Sequence, residues 1–178
     1  DDYQGEGMFV TQASSHLCKE GVCYFDELPS NTAYPNAYVT AQINKLKPNA
    51  IKNKNLKYVR CETKEEICEA IFQYKGAIVS INVRTSFDSF YLRKSLKDAI
   101  LPQPNEDEET RGGHAICAIG YTKDGIIIQN SWGRNWGYNG LAILPWGYTP
   151  LYDVYAIVDE CKIWNIVELT IDSKDAFI

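Results

Sequence analysis

His114 is one of only two histidines in a chain of 178 residues, and two glycines, Gly112 and Gly113, stand directly before it. Further on comes Asn130, followed by Ser131, Trp132 and Gly133. A histidine and an asparagine can share one task. A histidine acting as general base must hold one tautomer and one orientation, and a side-chain amide oxygen that accepts its ring N–H fixes both, as a carboxylate does in a serine triad. The amide carries no charge, so it orients the ring without neutralising it. A cysteine nucleophile suits such a base, because the pair can rest as thiolate and imidazolium. Trp132 is placed to cover the His–Asn hydrogen bond and keep water from competing for it.

For these residues to meet, the chain must fold back between them. The apolar run Ala115–Ile119 is followed by a turn, Tyr121–Gly125, with Lys-Asp-Gly at its tip, and then by a second apolar run, Gly125–Ile128. Two runs of strand length around a glycine-containing turn predict an antiparallel hairpin. The start of its first strand then lies beside the end of its second, which brings His114 next to Asn130. A core histidine beside a tryptophan-rich hairpin is the plainer alternative.

The ordered set Gly113-His114-Ala115, Gly120-Tyr121, Asn130-Ser131-Trp132-Gly133, Trp136-Gly137 and Gly140 resembles the second half of a papain-family (cathepsin-like) cysteine peptidase. The resemblance implies that His114 is the base, that Asn130 orients it and that Trp132 shields the pair. It implies an α+β fold of two lobes, with residues 1–40 as the remnant of an incomplete helical lobe and its loop, and 41–178 as an antiparallel, β-barrel-like second lobe. The active-site groove would run between the lobes and take a peptide or protein substrate. Gly112 and Gly113 would border the pocket for the substrate's second residue, and Trp136 would line the leaving-group side. Gly5-Glu6-Gly7-Met8 resembles the glycine-containing loop whose backbone bonds the substrate in that family, so Gly7 and Met8 join the expected substrate contacts; an ordinary helix-entry turn is the other reading.

One part of the family pattern is missing. The family places its cysteine at the start of a long helix, in a Gly-x-Cys-Trp context, with a glutamine upstream. The helix N-terminus helps lower the thiol pKa, and the glutamine side chain joins the cysteine N–H in the oxyanion hole. None of the six cysteines here (Cys18, Cys23, Cys61, Cys68, Cys117 and Cys161) is followed by tryptophan. Two functions from different classes therefore stay open. The first is a cysteine endopeptidase whose nucleophile, with the oxyanion glutamine, lies outside this chain, on an N-terminal chain or segment. The second is a catalytically inactive pseudopeptidase or binding module on the same scaffold. A different Cys–His hydrolase of related architecture is a weaker third, opposed by Asn-Ser-Trp-Gly.

Composition bounds the rest. The hydrophobic fraction is 45%, ordinary for a globular core, and the net charge is −5, which argues against nucleic acid as the main partner. No apolar run is long enough to span a membrane, and the opening residues do not read as a signal peptide. An even number of cysteines fits a secreted or lysosome-like compartment. Cys18 with Cys23, and Cys61 with Cys68, are possible disulfides, with reduced thiols the equal alternative, and Cys117 reads as a buried strand residue. A zinc site at His16, Cys18 and Cys23 would lack a fourth ligand and standard spacing, so no metal or cofactor is expected.

The remaining expectations are structural. Thr11 caps a helix that runs to about Cys18 and stops at Gly21. Ala37–Leu46 is a short helix, and the basic, Asn-rich Lys45–Lys57 is a solvated loop. Leu56–Arg60 is a strand. Thr63–Tyr74 is a helix with a Thr63/Glu66 capping box, ended by Gly76. Ala77–Val83 is a strand, Asp88–Leu101 contains a short helix, and the acidic Pro102–Arg111 is a loop. Gly140–Leu144, Tyr155–Val158 and Ile163–Thr170 are further strands, and Asp172–Ile178 is frayed.

Overall fold

A computed structural model describes residues 7–28, 37–54, 57–148, 151–158 and 176–177. These fall into two compact units, one holding the described residues up to Tyr58 with Val158, the other Val59–Ile157 with Ala176 and Phe177. The expected strand at Ile163–Thr170 lies outside the described residues.

The first unit is helical. Helix α1, Val10–Lys19, starts two residues earlier than a Thr11 cap predicts: the N-cap is Phe9, whose N–H donates to the Gln12 side chain at 3.3 Å. It stops at Gly21, which takes φ +77°, and a Cβ there would lie 1.9 Å from the Ala50 carbonyl oxygen. Helix α2, Ala37–Ala50, is longer than expected and passes through Pro48 before a 3₁₀ turn at Ile51–Asn53. The basic stretch expected as loop is thus largely helical. Pro48 lies within the last turn, where its absent N–H leaves a carbonyl one turn back without that bond and its ring crowds the same carbonyl.

The second unit is built on a sheet. Its strands are β1 (Lys57–Cys61), β2 (Ala77–Arg84), β3 (Thr110–Thr122), β4 (Gly125–Gln129), β5 (Leu141–Pro145), β6 (Leu151–Val158) and β7 (Ala176–Phe177). The order is β1-β6-β2-β3-β4-β5, with β7 pairing the far end of β3. The β2–β3, β2–β6, β3–β4, β3–β7 and β4–β5 pairings are antiparallel. The helices beside an antiparallel sheet are the α+β class expected, and among the described residues the sheet is open, with β1 and β5 at the two ends of the order. Ala176 and Phe177, expected to fray, pair with Thr122 and Tyr121.

Helix α3, Lys64–Tyr74, covers one face of this sheet. The Thr63 hydroxyl accepts the Glu66 N–H at 3.1 Å and the Glu66 carboxylate accepts the Thr63 N–H at 3.1 Å, the reciprocal pair its sequence predicts. Ile67, Ala70 and Ile71 face the core at helical spacing. The helix ends on Lys75 at φ +64° rather than on Gly76. Gly76 is needed for a different reason: a Cβ there would press on the Ala118 carbonyl oxygen at 3.1 Å. Strand β2 alternates buried and half-buried along its whole length, with Val79 and Ile81 fully buried. The short helix expected within Asp88–Leu101 instead forms earlier, as α4, Thr85–Asp88.

The candidate active site

The hairpin forms as its sequence requires, and its register explains the site. Cys117 pairs with Gln129 and Ala118 with Ile128. Residues 114, 116 and 118 share one face of β3, since successive side chains alternate. Ile116 and Ala118 on that face are buried, and His114 stands at its half-buried end. Asn130 follows directly after β4, so it emerges near Ile116, diagonally across from His114. The side chains close that gap: His114 Nε2 lies 2.9 Å from Asn130 Oδ1.

The loop after Asn130 is shaped by glycines. The Asn130 N–H donates to the Gly140 carbonyl at 2.9 Å, and the Gly140 N–H to the Trp136 carbonyl at 2.9 Å. Gly133 and Gly140 take φ +89° and +88°, a left-handed conformation that side chains disfavour. This compact loop sets two tryptophans. Trp132 is 38% exposed, and its ring lies over the His114 imidazole, 5.0 Å between centroids at 32°. Trp136 is fully buried, and its Nε1–H donates to the Phe87 carbonyl at 2.9 Å. Trp136 therefore stands behind Trp132 rather than on the open surface.

The proton on His114 can be assigned from its neighbours. Asn130 Oδ1 also accepts the Ser131 N–H at 2.8 Å. A backbone N–H only donates, so the amide oxygen is the atom facing both groups, and Nε2 must carry a hydrogen to meet it. The lone pair of the neutral ring then falls on Nδ1, which no hydrogen bond among the described residues occupies. Asn130 is 7% exposed, and its Nδ2 has no partner among the described residues.

Gly112, at φ +129°, and Gly113 precede the histidine on β3 opposite Val83 and Asn82, and a Cβ at either would meet nothing within 4 Å. Just before them, Arg111 Nε lies 2.9 Å from Asp88 Oδ2 at the end of α4. Gly7 and Met8 precede α1 in the helical unit, where both are exposed. Beside the hairpin on the opposite face is an open groove of about 490 Å³, lined by Ile78, Ala115, Cys117, Gln129, Asn130 and Ser131 among others.

Of the two readings of the cysteines, the described residues take the reduced one. Cys18, Cys23, Cys61, Cys68 and Cys117 are all free, so neither disulfide considered from spacing forms; Cys161 lies outside the described residues. Cys117 is exposed rather than buried, because it occupies the odd face of β3, opposite Ile116 and Ala118. Its thiol is nonetheless pushed up by partial burial of the sulfur in the groove. Burial likewise raises Cys61 and Cys68, the opposite of what activates a nucleophile. Among the described residues no group of three or more His, Cys, Asp or Glu could hold a metal ion, and no helix is long and apolar enough to cross a membrane.

Two residues of this neighbourhood are not evident from residue type and spacing. Phe87 is fully buried, with its ring 5.3 Å from Trp132, 4.8 Å from Trp136 and 6.2 Å from His114. Glu108 sits in the acidic loop, where a run of carboxylates reads as uniformly solvated. Ser86-Phe87 after a strand was a usable signal for the first, and nothing in the sequence separates Glu108 from its acidic neighbours.

The chain belongs to the papain family of cysteine proteases, whose family model matches residues 4–163. An uncharacterised peptidase C1-like protein of Acanthamoeba polyphaga mimivirus is 31% identical over 166 residues, 86% of this chain and 48% of that protein. Mexicain of Jacaratia mexicana is 48% identical over a short stretch of 31 residues, 17% of this chain and 14% of that protein. Among solved structures, xylellain, a cysteine protease from Xylella fastidiosa, superposes with a TM-score of 0.68 at 22% identity, over 86% of this chain and 62% of that one. A Carica candamarcensis cysteine protease, solved with E-64, gives 0.61 at 18% identity, over 86% and 69%. The chain thus spans about half the length of its curated viral relative.

Proposed function

We propose that the protein is a cysteine endopeptidase hydrolysing peptide bonds with a Cys–His–Asn site, to which this chain contributes His114 and Asn130. The nucleophilic cysteine and the oxyanion glutamine lie outside these 178 residues, on an N-terminal segment or partner chain. The observation that carries the reading is an imidazole fixed through Nε2 by an uncharged amide oxygen, with Nδ1 left for a proton to enter and leave. A scaffold kept only for binding has no chemical need for that arrangement.

The proposed roles use this geometry. His114 takes the thiol proton at Nδ1, and the resulting thiolate attacks the scissile carbonyl. The imidazolium returns that proton to the leaving amine, whose departure leaves an acyl-cysteine. The same ring then draws a proton from the water that hydrolyses it. Asn130 holds the tautomer throughout, since its oxygen accepts from Nε2–H whether or not Nδ1 is protonated. Trp132 shields that bond. The open space over Gly112 and Gly113 supports a roomy pocket for the substrate's second residue.

Thiol-dependent hydrolysis of a fluorogenic peptide by the natural protein tests the reading. The wild type is expected to cleave it, and the His114→Ala protein to lose cleavage while its melting temperature stays close to wild type. Absence of hydrolysis, with binding of the same peptide retained, would favour a pseudopeptidase.

A further inference from the structure

Glu108 lies six residues before His114, and its contacts lead to the site by another route. Its Oε1 accepts the Thr85 hydroxyl at 3.1 Å and the Ser86 N–H, while Oε2 accepts the Asn105 N–H at 3.3 Å. Its main-chain carbonyl accepts the Arg84 guanidinium. One residue of the acidic loop thus holds the last residue of β2 and the first turn of α4. That turn has N–H groups without partners inside the helix, and α4 itself offers no side-chain cap, since Arg84 occupies the N-cap.

The next residue along α4 is Phe87. Its ring stands at 87° to Trp132 and touches the edge of the His114 neighbourhood, and its carbonyl holds the Trp136 indole. Trp132 is therefore fixed between two partners, the His114 imidazole on one side and the Phe87 ring on another. A four-residue helix has little stability of its own. Its place depends on what anchors its ends: Glu108 at the first turn, and the Asp88–Arg111 pair at the last.

We infer that Glu108 is a positioning residue of the His114 site: by capping α4 it fixes Phe87, and Phe87 holds the Trp132 indole against the imidazole. The inference concerns the geometry of the ring, and only its kinetic readout rests on the peptidase reading.

The test compares Glu108→Ala and Glu108→Gln in the natural protein, with Glu106→Gln as a control on the same loop. The readouts are the His114 ring resonances, which report the Trp132 ring current, the near-ultraviolet circular dichroism of the tryptophans, and kcat and KM on a peptide. Glu108→Ala is expected to move the His114 and tryptophan signals, and to lower kcat on the order of tenfold with KM within about twofold. Glu108→Gln keeps a carbonyl oxygen for Ser86 and Thr85 but turns an N–H toward the Asn105 N–H. It should restore part of both effects, and Glu106→Gln should show neither. Unmoved His114 and tryptophan signals in folded Glu108→Ala would overturn the inference, leaving Glu108 a loop anchor only. Should Glu108→Ala not fold, Glu108→Gln decides by the same signals. If the wild type cleaves no peptide, the function falls while the spectra still decide the positioning.

Discussion

Oδ1 of Asn130 stands 2.9 Å from Nε2 of His114 and also accepts the Ser131 N–H at 2.8 Å. The second bond gives the first its meaning, because it fixes which end of the amide faces the ring. Asn130→Ala should therefore lower kcat/KM by about 10²-fold, through loss of the correct tautomer and orientation, with little change in melting temperature. Trp132→Ala should cost less, since it exposes that bond to water without removing it. Steady-state kinetics on one peptide, with His114→Ala as the floor, checks the order.

Tyr148 is buried, and its hydroxyl has no hydrogen-bond partner among the described residues. Tyr148→Phe should be neutral or stabilising by about 1 kcal/mol, because it removes an unpaired buried polar group. Burial, with Glu108 acting in the same direction and Arg84 against it, pushes this tyrosine from 10.0 up to about 12. The native state then holds the proton more tightly than the unfolded chain. The resulting stability is complete below pH 10 and is lost as pH rises through about 12. Urea unfolding at alkaline pH should show that decline in the wild type and not in the variant.

Gly137 takes φ +56°, and a Cβ on it would lie 2.2 Å from the Leu141 carbonyl oxygen. Gly137→Ala should destabilise by about 2 kcal/mol or more, from left-handed backbone and steric contact together. The melt should fall accordingly, with a change in Trp136 fluorescence. An unchanged melt would mean the loop after Asn130 can take another path.

Peptides containing Cys18, Cys23, Cys61, Cys68 and Cys117 should each be recovered alkylated when the protein is denatured without reductant. In the native protein Cys117 should react, but slowly, because its sulfur is exposed to reagent while its thiol is raised by partial burial. Recovery of a Cys18–Cys23 or Cys61–Cys68 linked peptide would contradict the structure.

What the sequence made legible was local. Thr63 and Glu66 cap α3, the alternation of Ala77–Val83 makes β2, and the glycine turn makes the hairpin that joins His114 to Asn130. Each depends on residues near one another in the chain. Cys117 misled because an apolar run does not say which of its faces is covered; the pleat put Ile116 and Ala118 inward and the thiol outward. Phe87 and Glu108 were harder for the same reason at longer range. Their importance lies in what they touch across the fold, namely Trp132 and the first turn of α4, and neither contact has a sequence period.

In the proposed peptidase, His114 serves a cysteine that these 178 residues do not contain. This is tested most directly by treating the natural protein with a thiol-directed peptidyl epoxide and locating the adduct by intact mass and peptide mapping. A single adduct is expected, on a cysteine outside these residues, and it should disappear in the His114→Ala protein. An adduct on Cys18, Cys23, Cys61, Cys68, Cys117 or Cys161, or no adduct on a folded protein, would contradict that role for His114.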